Sequence, residues 1–213
     1  MKTEIYLLRH GETGLNRQKV YFGHLDAAMN ELGKECIAHV ANNFFGPLDV
    51  IISSDLERCA ESARIFSRSK KIKVTYDQRL RELDFGVFEG RTYASLMEEF
   101  PKEAEQFFSG DYDFVIPKGE SVKMLFERTY EAFEEIIANH AGKHILISTH
   151  GGAIRAILSR YLAGNKKAYW KFAVEHASLT KLVHEDGFVY LEYLGRGEKI
   201  QQLAVSTKMK KGA

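Results

Sequence analysis

Several things are scarce in this chain, and each scarcity removes a class of explanation. There are only two cysteines in 213 residues, Cys36 and Cys59. They form no CxxC pair and fall on or near the apolar faces of predicted helices. They read as free core thiols in a reducing compartment, not as a disulfide framework. Charge of one sign is not in excess. The formal net charge is +1, so electrostatics gives no reason to expect a nucleic-acid partner. No apolar run approaches the length of a membrane span, and no charged n-region with an apolar h-region opens the chain. The expectation is a cytoplasmic protein with no membrane partner. There is no low-complexity segment and no repeat beyond one local echo. The whole of 1–213 reads as a single domain with a hydrophobic core of ordinary size. Its last residues, about 204–213 with Lys208, Lys210 and Lys211, read as a frayed tail.

What is present is an alternation of apolar runs and amphipathic segments. Ile5-Tyr6-Leu7-Leu8 is a continuous apolar run that stops at Arg9-His10-Gly11. It reads as a central parallel strand covered on both faces. Asn30-Glu31 opens a helix with Leu32, Cys36, Ile37, Val40 and Phe44 on one side, ended by Gly46-Pro47. Val50-Ile51-Ile52 is a second buried strand. Ser54 and Glu57 have capping-box spacing, which predicts a helix start there with Cys59, Ala63 and Phe66 facing inward. Ile72, Val74 and Tyr76 make a third strand nearer an edge. Thr92 to Phe108 is helical and broken at Pro101, and Ser121 to Ala138 keeps a helical period. His144 to Ser148 is another buried strand. A helix follows through Ile154, Ile157, Leu158 and Tyr161. Leu179–Val183 and Phe188–Tyr193, joined by Glu185-Asp186-Gly187, make a hairpin. The predicted fold is three-layer α/β/α around a mostly parallel sheet. A helical excursion at about 84–140 forms a wall or lid, and the hairpin closes the C-terminal side.

The echo points to the site. Tyr6-Leu7-Leu8-Arg9-His10-Gly11 and Leu146-Ile147-Ser148-Thr149-His150-Gly151 are each a buried strand, then a histidine, then a glycine. Neighbouring parallel strands would bring both histidines to one sheet edge, where ligands bind in open α/β sheets. Gly151 and Gly152 allow close backbone approach, and the helix behind them offers N–H groups to an anion. Arg58 sits in the first turn of its helix, where a cation opposes the helix dipole. That placement suggests a grip on an anion. Zinc would need three or four convergent ligands; two histidines beside arginines suit a phosphoryl dianion better. No metal and no cofactor is expected.

Leu7-Leu8-Arg9-His10-Gly11-Glu12-Thr13 with Asn16, then Ser53-Ser54-Asp55-Leu56-Glu57-Arg58, then Leu80-Arg81-Glu82 with Phe85-Gly86 and Glu89-Gly90, then Thr149-His150-Gly151-Gly152, resembles the histidine phosphatase superfamily, also called the phosphoglycerate mutase-like family. The blocks follow the family's order. The resemblance implies that His10 is the nucleophile forming a phosphohistidine. It implies that Arg9, Arg58 and His150 neutralise charge on the phosphoryl group, with Asn16 adding a donor. Glu82 would be the general acid and then the base, with Asp84 a weaker candidate and a salt bridge of Glu82 to Arg79 or Arg81 the competing reading. Gly23 and Gly151 match glycines of the binding loops. Val20 and Phe22 stand where the family often has arginine and glutamine, and Ala28-Met29 where it often has Pro-Leu. These departures suggest a more apolar wall, from Phe22, Phe85 and Phe88.

Only Arg91 to Lys118 separates the Glu82–Gly90 block from Gly119-Glu120-Ser121. This compact form resembles the phosphatase branch, which includes α-ribazole phosphatases of cobalamin synthesis and broad-specificity phosphatases. The expected function is metal-independent hydrolysis of small phosphorylated metabolites. Phosphoglycerate mutase and a non-catalytic phosphate-binding module are the alternatives, and a homodimer stays open.

Overall fold

The computed structural model describes residues 1–196; the frayed tail expected at about 204–213 lies outside the described residues. In chain order the elements are β1 (Lys2–Arg9), α1 (Gly14–Arg17), β2 (Val20–Tyr21), α2 (Glu31–Asn42), β3 (Val50–Ser53), α3 (Glu57–Lys70), β4 (Val74–Tyr76), β5 (Arg91–Thr92), α4 (Tyr93–Glu99), α5 (Pro101–Phe108), α6 (Val122–Asn139), β6 (His144–Thr149), α7 (Gly151–Ala163), β7 (Leu179–Glu185) and β8 (Phe188–Arg196). Six strands form one sheet in the order β4-β3-β6-β1-β7-β8, and β2 pairs with β5 separately. β4, β3, β6 and β1 run parallel to one another; β7 is antiparallel to both β1 and β8. The predicted fold class holds, with one antiparallel strand inserted by the hairpin.

The period-2 alternation of side chains sorts the core into two layers. Ile5, Leu7, Ile145 and Ile147 face α6 and α7, against Ala132, Phe133, Ile136, Ile154, Ile157 and Leu158. Tyr6, Leu8, Ile51 and Leu146 face α2 and α3, against Cys36, Ile37, Ala63 and Phe66. Both cysteines are buried, and no disulfide joins them. A third cluster, built by Leu83, Phe88, Leu96, Ala104, Phe107 and Ile116 with Val122 and Leu125, holds the excursion together.

Several local expectations need correction. The excursion is not one unit: α4 and α5 make the wall, with Pro101 starting α5, whereas α6 is a layer of the main core. Ser54 does not cap α3, whose N-cap is Leu56 without a side-chain cap bond. Ser54 is pulled inward to His150, and the Asp26 carboxylate, from a distant loop, accepts the Glu57 N–H at 2.9 Å instead. Ile72 precedes β4 and packs against the core. The hairpin turn is only two residues, Asp186 and Gly187, both at positive φ, which is the geometry that matches strand twist.

Candidate active site

The sheet places the two histidines side by side. Arg9 and Thr149 are partners across the parallel β1–β6 pair. His10 and His150 therefore leave adjacent strand ends at one level, and the His10 N–H donates to the Thr149 carbonyl at 3.1 Å. Their ring centroids lie 5.2 Å apart at an interplanar angle of 61°. β3 ends beside them, with the Ser54 N–H on the Ser148 carbonyl at 2.9 Å.

His10 is buried. Its Nδ1 lies 2.8 Å from the Gly11 carbonyl, an acceptor only, so Nδ1 carries the proton and donates. Nε2 is left with its lone pair. Burial holds His10 well below the ordinary histidine range, and Arg58, His176 and Arg9 add to this. Desolvation thus does more than the neighbouring cations to keep the ring neutral.

Arg58 is 1% exposed, among the largest fully buried side chains of the protein. One amino group donates to the Gly23 carbonyl at 2.6 Å and the other to the Leu25 carbonyl at 3.3 Å, while Phe22 lies 4.9 Å beneath the guanidinium. Phe22 and Gly23 are thus supports of Arg58. Gly23 is obligatory, since an added Cβ would fall 1.6 Å from the Leu83 carbonyl oxygen. Arg9 donates to the Val174 carbonyl, and burial pulls its pKa down to about 10, leaving it charged at neutral pH. The Nε–H groups of Arg9 and Arg58 are both buried without an acceptor. A buried donor without a partner costs about 1–3 kcal/mol, which an anion would relieve.

His150 is fully buried at the N-cap of α7 and held well below its ordinary pKa, by burial first and then by Arg58 and His10. Its Nε2 lies 2.9 Å from Ser54 Oγ and 3.2 Å from Cys59 Sγ. Glu82 reaches the start of the same helix. Its carboxylate accepts from the Leu83 N–H and the Gly152 N–H, each at 2.9 Å, and an added Cβ on Gly152 would fall 2.0 Å from it. Part of the N–H cluster expected to face the ligand is therefore taken by Glu82. The competing reading of Glu82 fails. Arg81 pairs with Asp55 through two bonds, and Arg79 pairs with Asp77 and Glu135. Gly151 lies against Arg9, where a Cβ would stand 3.2 Å from the guanidinium carbon.

Other candidates settle into structural places. Asn16 uses its side-chain oxygen to accept from the Thr13 N–H and hydroxyl, so only its amide NH2 is left for a ligand. Asp84 accepts the Gly86 N–H and faces His24 at 3.4 Å. Phe88 is fully buried in the third cluster and lines no wall; Phe85 is half-buried against Tyr21 and Phe107. Among the described residues no group of three or more His, Cys, Asp or Glu is arranged to hold a metal ion.

Two residues escaped the sequence reading. Arg128, on α6, donates to the carbonyls of Arg79, Arg81 and Glu82 while its Nε and NH2 hold Glu120, so it pins the loop that carries Glu82. His176, in the segment before β7, stands 5.5 Å from the His10 ring. Neither lies in a recognisable motif; each reaches the site only through tertiary packing.

A family model described as the histidine phosphatase superfamily, branch 1, matches residues 5–196. Phosphoglycerate mutase-like protein 4 of Arabidopsis thaliana is 35% identical over 161 residues, 74% of this chain and 70% of that protein. The solved structure of YhfR from Bacillus stearothermophilus superposes with a TM-score of 0.86 and 26% identity, over 93% of this chain and 99% of that one. The α-ribazole phosphatase of Shigella flexneri shares the fold, with a TM-score of 0.85 and 24% identity over 91% and 96% of the two chains. With its motifs gathered at one sheet edge and the match running from β1 to β8, the chain belongs to the histidine phosphatase superfamily.

Proposed function

We propose that the protein is a metal-independent phosphomonoester hydrolase that works through a phosphohistidine on His10. The observation that carries this reading is the state of His10: Nδ1–H is spent on the Gly11 carbonyl, which leaves Nε2 with its lone pair in a ring that burial, Arg58, His176 and Arg9 together keep neutral. In the first step His10 Nε2 attacks the phosphorus. The P–N bond forms as the bond to the ester oxygen breaks, and Glu82 gives that oxygen its proton. In the second step water attacks the phosphohistidine, Glu82 takes the water's proton, and inorganic phosphate leaves. Arg9, Arg58 and neutral His150 hold the three phosphoryl oxygens in both steps, so that charge is met by fixed donors. The amide of Asn16 adds a further donor at the rim, and Gly151 lets the phosphoryl group approach the strand ends.

The substrates are small phosphorylated metabolites, with α-ribazole 5′-phosphate among the candidates. A mutase reading is favoured by the names of sequence relatives, among them the 35% identical protein named phosphoglycerate mutase-like. Phosphate release across a panel including α-ribazole 5′-phosphate and 3-phosphoglycerate, run beside a mutase assay, separates the two. Hydrolysis is expected to dominate, with an acid-labile phosphoenzyme. Isomerisation of 3-phosphoglycerate exceeding its hydrolysis would favour the mutase, and neither reaction on any substrate would leave only phosphate binding. Turnover should be unchanged in excess EDTA, because the arginines supply the positive charge. Loss of activity restored by an added divalent cation would overturn the metal-free scheme.

A further inference from the structure

The buried donors around His10 are not all accounted for by the two arginines. Five buried side-chain nitrogen or oxygen atoms among the described residues have no hydrogen-bond partner: the Nε atoms of Arg9 and Arg58, His176 Nε2, Thr129 Oγ1 and Ser159 Oγ. Three of the five belong to residues that bear on His10. His176 is the one with no assigned role. Its ring centroid lies 5.5 Å from that of His10, at 57°, so His10 stands near two imidazoles, His150 and His176.

The backbone holds His176 firmly at this place. The next residue, Ala177, sits at φ 53, in the left-handed region that an alanine enters only under strain. What fixes it there is its N–H, which lies 3.1 Å from both the Arg9 and the His10 carbonyls. Two residues earlier, the Val174 carbonyl accepts from Arg9. The segment is thus tied to the Arg9-His10 pair on either side of His176. A strained residue maintained beside a reactive group is a reason to look for function there.

His176 is itself neutral at physiological pH, burial and then Arg9 holding its pKa down to about 3. A neutral imidazole has one N–H and one lone pair. With cationic arginines as neighbours and a phosphoryl anion as ligand, the tautomer carrying the proton on Nε2 is the one that gains a partner. Resting on the phosphatase reading above, we propose that His176 is a further phosphoryl-binding residue, whose Nε2–H donates to a non-bridging oxygen of the group transferred to and from His10. Its contribution would be strongest where the oxygens carry most charge, in the pentavalent transition state.

The test uses orthovanadate as the probe, bound to the full-length protein and followed by calorimetry, with kcat and KM measured in parallel. His176→Phe keeps the ring volume and removes the nitrogens; His176→Asn returns an N–H donor. Loss of one hydrogen bond to a charged ligand should weaken orthovanadate at least about tenfold in the Phe variant. The loss should fall mainly on kcat, and the Asn variant should recover much of it. A Phe variant that binds orthovanadate as the parent does would overturn the proposal, as would equal losses in both variants, which would mark the ring as mere packing. A parent protein that neither binds orthovanadate nor forms phosphohistidine would instead bring down the phosphatase reading, and this inference with it.

Discussion

At the scale of the residue, the site depends on keeping imidazoles neutral and guanidiniums aimed. In the proposed mechanism His10→Ala removes the nitrogen that accepts the phosphoryl group. Turnover and the acid-labile phosphoenzyme should both vanish, as read by rapid acid quench with labelled substrate; activity surviving the change would sink the mechanism. Glu82→Gln keeps the shape of the side chain and loses its proton. With poor leaving groups the rate should fall by about 10²–10⁴, the usual worth of general acid catalysis, and with an activated aryl phosphate by much less. Equal losses on both would argue that Glu82 only positions. Sequence singled out His10, Arg9, Arg58, His150 and Glu82, which the structure brings together, because each stands in a local pattern: a strand end, a helix first turn, a short motif. It could not find His176, whose proximity to His10 spans about 166 positions of chain and leaves no local mark. It also assigned Phe22 to a substrate wall, where the structure puts it beneath Arg58.

At the scale of the element, the stretch 79–82 leaves a single 3-10 turn, Gln78–Leu80, and takes its support from other parts of the chain. Arg128 supplies the support from α6, through three carbonyls and the Glu120 carboxylate. His24 assists from the other side, its Nε2 3.1 Å from the Glu82 carbonyl. Arg128→Met keeps the apolar stem but strands those carbonyls and Glu120. It should cost about 2–3 kcal/mol in urea unfolding. It should also lower kcat at least about tenfold, because Glu82 loses its anchor, while KM moves little. A stability loss with kcat intact would show the loop to be held by other means. The strands and long helices were legible because their hydrophobic periods are local. The false capping box shows the limit: Ser54 and Glu57 have the right spacing, but Ser54 is better used against His150, and Asp26 does the capping from elsewhere.

At the scale of the whole molecule, three histidines are held neutral in the native state: His10, His150 and His176. The unfolded chain would protonate each near the ordinary value of about 6.5. Below that pH the unfolded state binds protons that the native state refuses, so stability falls as pH falls and is complete only above about pH 7. The three act in the same direction, so their effects on stability add as the pH falls below the ordinary histidine range. The urea midpoint should therefore drop steeply between pH 6 and pH 4. A midpoint flat across that range would contradict neutral burial of the three rings. The global fold was the most legible feature of all, because the three buried parallel strands β1, β3 and β6 leave continuous apolar runs spaced by amphipathic helices.

The Asp26 cap ties these scales together. The stretch from Phe22 to Asp26 supplies the ring under Arg58, two carbonyls that receive its amino groups, and the carboxylate that terminates α3. Local opening of this stretch would fray the first turn of α3 and release Arg58 in the same event. Anion affinity and the local melting of that helix end are then two readings of one equilibrium: whatever fills the pocket raises the free energy of opening the loop, by the same amount that opening weakens the grip.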